Sequence, residues 1–221
     1  ELIGTLPTVG GYGTGVCHIY GGNFTLKTGW ELDGCNQGRG HVYLTNAVIS
    51  TSEILRSSNG TNGDGQFVVD GPEAAVYSSS SFYAMQAGDA KRAVVSVCNG
   101  GTFSIYQFHN YKTDAQCTYK NPFVVNFDGG IIRMYYSSSL FGTEVTKVPV
   151  VVVGAKGGTL DTNGQTYTQY ANVPLSSKKE NGILSASLPD GEVSGLVGAP
   201  MVRVTSSAGY GAALVADWDP E

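Results

Sequence analysis

Arg92-Ala93-Val94-Val95-Ser96-Val97-Cys98 runs into Asn99-Gly100-Gly101 and then Thr102-Phe103-Ser104-Ile105-Tyr106-Gln107-Phe108-His109. A few residues later the same grammar returns. Phe123-Val124-Val125-Asn126-Phe127 meets Asp128-Gly129-Gly130 and continues as Ile131-Ile132-Arg133-Met134-Tyr135-Tyr136. The flanks are β-branched and aromatic, the side chains that fit a pleated surface. Asn-Gly and Asp-Gly supply the positive φ that tight turns between strands require, and the second glycine suits a three-residue loop closing on a bulge. The reading is four consecutive antiparallel strands, 92–98, 102–109, 123–127 and 131–136, paired as two hairpins.

Composition extends that reading to the whole chain. Glycine occurs 31 times in 221 residues, and Asp, Glu, Lys and Arg together make up only 14%. Helices with charged, solvent-facing stripes are not written in such a composition. The expected fold is all-β: a single-domain antiparallel β-sandwich or barrel over residues 1–221. It should have long Gly/Ser/Asn-rich loops and at most one or two short helical turns. Residues 1–15 read as an irregular lead-in and residues 217–221 as an acidic exit. No repeat stands out at solenoid periods, and no linker divides the chain.

Strands are expected at 16–20, 39–49, 67–69, 144–153, 183–188, 201–205 and 212–216. Pro149 removes a ladder donor, so its strand should lie at a sheet edge or carry a bulge there. Ser50-Thr51-Ser52-Glu53 has the spacing of a helix capping box. Gly71-Pro72-Glu73-Ala74-Ala75 has a proline placed to open a helical turn. Residues 57–66, Ser-Ser-Asn-Gly-Thr-Asn-Gly-Asp-Gly-Gln, read as a surface loop.

Charge narrows the partners. The net charge is −5 and the isoelectric point about 5.1. No basic stripe is present to neutralise phosphates, so nucleic acid is not expected as a partner. The longest apolar run, Val148 to Val153, is too short to span a bilayer, so membrane insertion is not expected. No signal-peptide pattern begins the sequence.

The four cysteines fall into two local pairs, Cys17 with Cys35 and Cys98 with Cys117. As disulfides they would each close a loop stabilised by roughly 3 kcal/mol in the chain-entropy picture. Four buried thiols in a protein made in a reducing compartment is the alternative. No Cys-x-x-Cys occurs, and only three histidines are present, so neither a metal nor a cofactor is expected.

His18, His41 and His109 each sit beside apolar residues in a strand, which favours structural hydrogen bonds over catalysis. Ser194 lies in Gly191-Glu192-Val193-Ser194-Gly195, which lacks the spacing of a nucleophile elbow. Glu31 and Asp33 share a strand face and are the tolerable carboxylate pair for glycoside hydrolysis. Asp217 and Asp219 read as solvated acids. Asn23-Phe24-Thr25 and Asn59-Gly60-Thr61 match the glycosylation acceptor pattern. Tyrosine is the more suggestive residue. With serine, glycine and asparagine it gives the composition of recognition loops, large contact area at low entropic cost. Tyr111, Tyr119, Tyr167 and Tyr170 are the candidate ligand-binding set.

In size, dense short strands, Gly/Ser/Asn loops, lack of a catalytic constellation and the acidic exit Asp217-Trp218-Asp219-Pro220-Glu221, the chain resembles the surface projection (spike) domains of non-enveloped virus capsids. Those of astroviruses are the nearest. The resemblance implies a non-enzymatic homodimer on the virion surface that attaches to a host receptor, a glycan among the candidates. It also implies synthesis in the cytosol, which argues against the disulfides. A secreted β-sandwich carbohydrate-active enzyme and a microbial adhesin are the competing expectations.

Overall fold

The computed structural model of the chain describes residues 9–10, 13–31, 38–57, 63–84, 92–110, 123–136, 140, 150–153, 156–163, 173–177, 182–187, 196–197 and 212–216. It overturns the expected architecture. The strands do not fold back on one another as hairpins; they wind in one direction as the coils of a parallel β-solenoid.

Four coils carry three strands each. The first holds β1 (Thr14–Tyr20), β2 (Asn23–Leu26) and β3 (Trp30–Glu31), and the second β4 (Arg39–Thr45), β5 (Val48–Thr51) and β6 (Leu55–Ser57). The third holds β7 (Asp64–Asp70), β8 (Ala75–Ser78) and β9 (Phe82–Ala84), and the fourth β10 (Arg92–Cys98), β11 (Thr102–Ile105) and β12 (Phe108–Asn110). Beyond them the described strands come in twos: β13 (Phe123–Asp128) with β14 (Gly130–Met134), β15 (Val150–Val153) with β16 (Gly158–Asp161), and β17 (Val173–Ser177) with β18 (Gly182–Ser187). β19 (Leu196–Val197) and β20 (Ala212–Ala216) follow.

Equivalent strands stack into three sheets. The first runs β1-β4-β7-β10-β13-β15-β17-β19, the second β2-β5-β8-β11-β14-β16-β18-β20, and the third β3-β6-β9-β12. Among the described residues the strand pairs are parallel, save β18 with β20.

The positive φ expected of the turn glycines is present, with a different consequence for the chain path. Gly100 and Gly129 have φ of +85° and +81°, and the Gly101 N–H donates to the Cys98 carbonyl across a local turn. In a hairpin the next strand would return along the previous one. Here it leaves at a corner for another sheet, and the corner bonds to the coil above instead. The Gly100 N–H donates to the Gly129 carbonyl, and the Gly129 N–H to that of Gly157. The second glycine has a different use from the expected bulge. A Cβ on Gly130 would lie 2.3 Å from the Val97 carbonyl oxygen, so the strand after the corner starts where only a hydrogen fits.

Positive-φ corners recur at Gly21, Asn46, Gly71, Gly100, Gly129 and Gly157, every 25 to 29 residues. This is the repeat that the sequence does not advertise. Its length varies from coil to coil, and outside the corner glycines its positions share polarity and not identity.

In-register stacking makes the core. Val42, Phe67, Val95, Val125 and Val151 form one inward ladder of the first sheet. Ile49, Val76, Phe103, Ile132 and Leu160 form one in the second, and Trp30, Leu55, Phe82 and Phe108 one in the third. All are buried. Phe67, Phe82, Phe103, Phe108 and Phe123 pack ring against ring where the three sheets face each other, with centroids 5.6–6.2 Å apart. A coil alone cannot bury its inner face; stacked coils share one interior.

Smaller expectations shift accordingly. The strand expected over 102–109 bends at Tyr106-Gln107 into β11 and β12. The capping-box residues start no helix: the Glu53 N–H does donate to Thr51 Oγ1, at 2.9 Å, but the chain then continues into β6. Gly71 to Ala74 is a single turn closed by the Ala74 N–H on the Gly71 carbonyl. The loop expected over 57–66 gives its last residues to β7 and its first, the buried Ser57, to β6. β15 lies inside its sheet between β13 and β17, not at an edge; it begins just after Pro149, which lies outside the described residues.

Candidate functional site

Strand alternation sends every second side chain outward, and stacking turns those side chains into rows parallel to the solenoid axis, with about 4.8 Å per rung. On the second sheet one outward row reads Thr25, Ser50, Tyr77, Ser104, Arg133 and Asp161. Beside it, just past the strand ends, lie Lys27, Ser52, Ser79 and Tyr135. Each follows by one residue an inward-facing position: Leu26, Thr51, Ser78 or Met134.

Between the two rows runs an open trough of about 420 Å³, lined by Thr25, Leu26, Lys27, Ser50, Thr51, Ser52, Tyr77, Ser79 and Tyr135. Tyr77 and Tyr135 are 43% and 50% exposed, so both rings offer surface to solvent. Tyr106 and Tyr136 stack next to this wall with centroids 6.4 Å apart. The lining brings hydroxyls that both donate and accept, aromatic rings and one ammonium. None of these lining residues is a carboxylate. At the far end of the first row Arg133 Nε donates to Asp161 Oδ2 at 2.6 Å, an ion pair that fixes the guanidinium on the sheet.

Two other polar clusters occupy the surface. On the first sheet His18 stacks on Tyr43, with centroids 4.8 Å apart, and lies beside Tyr20, whose hydroxyl is 3.3 Å from His18 Nδ1. At the corners Asn99 Nδ2 donates to Asp70 Oδ1 at 2.6 Å, Lys156 Nζ to Asn99 Oδ1 at 2.5 Å, and the Lys156 N–H to Asp128 Oδ1 at 3.1 Å. These bonds tie four successive coils and leave the corner charges engaged with one another. Cys98 sits among them. Burial, then Asp128 and Asp70, push its thiol from an ordinary 9.0 up to about 11, against the opposing pull of Lys156. A thiol so held is a poor nucleophile at neutral pH.

The sequence-derived candidates fare unevenly. Tyr111, Tyr119, Tyr167 and Tyr170 lie outside the described residues. So do Cys35, Cys117, Asp33, Ser194, Asp217, Asp219 and Asn59. Among the described residues Cys17 and Cys98 are unbridged. Glu31 ends β3. The three histidines are far from one another in role: His18 is in the stack just described, His41 Nε2 is buried without a hydrogen-bond partner, and His109 meets the Tyr83 ring edge-on at 5.3 Å. Among the described residues no group of three or more His, Cys, Asp or Glu side chains is placed to hold a metal ion.

The trough escaped the sequence reading because its members lie far apart in sequence. Ser50-Thr51-Ser52-Glu53 has the spacing of a capping box, which points to a helix and not to a surface row. Only the coil period aligns them, with Tyr77 and Tyr135, on one face. No family model matches the chain, and comparisons with curated proteins and with solved structures return no match either.

Proposed function

We propose that the chain is a non-enzymatic recognition module that binds carbohydrate along the outward face of its second sheet. The observation that carries this reading is the trough: tyrosine rings and a bed of serine and threonine hydroxyls, held in register by a rigid scaffold. Aromatic faces stack on the C–H faces of sugars, and hydroxyls exchange hydrogen bonds with sugar hydroxyls at little ordering cost. A solenoid displays such a row along its length, which suits a chain-like ligand.

A glycan array probed with the wild type, Tyr77→Ala and Tyr135→Ala is the test. The expected result is binding to a defined set of glycans that both substitutions abolish, with melting temperatures unchanged because both rings are exposed. Binding that survives both substitutions moves the site elsewhere, and a blank array removes the reading. Turnover of a polysaccharide that vanishes in Glu31→Gln and Asp33→Asn would establish an enzyme instead.

The setting proposed for the module is attachment to a host surface, as a two-fold dimer, from a virion. Sedimentation equilibrium giving a clean 23.2 kDa monomer removes the dimer. Thiol titration of the unfolded, natively produced protein separates the settings. Four thiols fit a cytosolic capsid product, and two disulfides fit a secreted adhesin.

A further inference from the structure

We infer that the trough prefers sugars that carry a methyl group, as 6-deoxyhexoses and N-acetylhexosamines do, over sugars that are hydroxylated throughout. The inference rests on the carbohydrate reading and adds its ligand class. Seven of the nine lining residues bear a hydroxyl, yet most of the surface that the trough presents is carbon. Leu26 and Thr51 explain part of that. They lie in register on adjacent rungs between the two rows, and both are buried, so they close the floor. Leu26 has no polar side-chain atom. The Thr51 hydroxyl oxygen accepts the Glu53 N–H at 2.9 Å, which engages it with the chain's own backbone.

The walls add more carbon, from Thr25 and from the Tyr77 and Tyr135 rings, and all three residues are exposed. A sugar hydroxyl laid on such a surface leaves water without gaining a partner, which costs free energy. A methyl group in the same place leaves water at a gain. The hydroxyls of Ser50, on one row, and of Ser52 and Ser79, on the other, border this carbon floor. They supply the polar contacts that any sugar needs, so the discrimination falls to the floor between them.

Titration of the full 221-residue protein, followed by NMR, tests this with two pairs of uncharged probes. Methyl α-L-fucoside and methyl α-L-galactoside differ only by the hydroxyl at C6, and N,N′-diacetylchitobiose and cellobiose only in the groups at C2. The expected result is that the methyl-bearing member of at least one pair binds about fourfold tighter or more. An advantage in the first pair identifies the 6-deoxy group as what the trough takes, and one in the second the acetamido group. The advantage should not respond to sodium chloride. It should shrink in the double variant Thr25→Ser/Thr51→Ser, which removes two methyl groups and keeps both hydroxyls. An advantage of undiminished size in that variant overturns the assignment to the trough, and the wild-type comparison keeps its force if the variant folds poorly. Equal affinity within both pairs overturns the methyl preference while the carbohydrate reading stands, and array hits confined to sugars without a methyl group do the same. Binding of none of the four, together with a blank glycan array, overturns both.

Discussion

Gly13 and Gly130 show how much a single hydrogen atom matters in this fold. A Cβ at Gly13 would meet nothing within 4 Å, whereas at Gly130 it would lie 2.3 Å from the Val97 carbonyl oxygen and 2.6 Å from Val97 Cγ1. Backbone cannot step aside as a side-chain tip can. Gly130→Ala should therefore destabilise by about 1–3 kcal/mol, and Gly13→Ala should stay within about 0.5 kcal/mol of wild type. Urea denaturation of the two variants checks this, and equal midpoints would mean that the corner is not so tightly closed. Cys98 gives a residue-level prediction in pH. The folded state holds the thiol proton more tightly than the unfolded chain does, since burial and the carboxylates of Asp128 and Asp70 raise its pKa from 9.0 to about 11. Its contribution to stability is then fully present below pH 9 and is lost as pH rises from 9 through 11. Melting temperatures of the wild type should fall more steeply over that window than those of Cys98→Ser. Parallel curves would show that the thiol is not coupled to folding.

At the scale of the strand, position within the stack sets the cost of a substitution. Phe24, Ile49, Val76 and Phe103 occupy successive rungs of one row. Phe24, on the first rung, is 37% exposed, while Phe103 is buried against Phe67, Phe82 and Phe108. Phe103→Ala should cost about 3–5 kcal/mol and Phe24→Ala about 1 kcal/mol. Chemical denaturation of the pair measures the gradient; equal losses would deny that the coils share one graded interior. The same scale shows what could be read beforehand. The strands β10, β11, β13 and β14 were legible from Val94 to Met134, as were their positive-φ turns. Their partners were not. A turn of Asn-Gly-Gly bends the backbone locally, and the same bend serves a reversal or a corner. Which one occurs depends on whether Val95 finds a better neighbour in its own continuation or in Phe67 and Val125, 28 and 30 residues away. The site was hidden for a related reason, since Thr25, Ser50 and Tyr77 become neighbours only after the coil period is known. Tyr111, Tyr119, Tyr167 and Tyr170 stand out by composition alone, which carries no information about position on the folded surface.

Across the whole molecule, contacts run mainly between a coil and its neighbours, so stability should build up coil by coil instead of residing in one nucleus. Asn46 and Gly71 are equivalent corners one coil apart, and β4 and β7 present the same register to the strands that follow. Deleting residues 46–70 joins Thr45 to Gly71 and should yield a shorter solenoid that keeps its β-type circular dichroism and cooperative melting. It would lose the trough, since Ser50, Thr51 and Ser52, which line it, go with the deleted coil. An unfolded product would mean that the second coil is not interchangeable with its neighbours. The positive-φ corners thus act as graduation marks on a ruler. A chain of this kind can be lengthened or shortened only in whole coils, each adding about 4.8 Å, because any fraction would turn its inward residues to the water. The reach of its outward rows is set by counting.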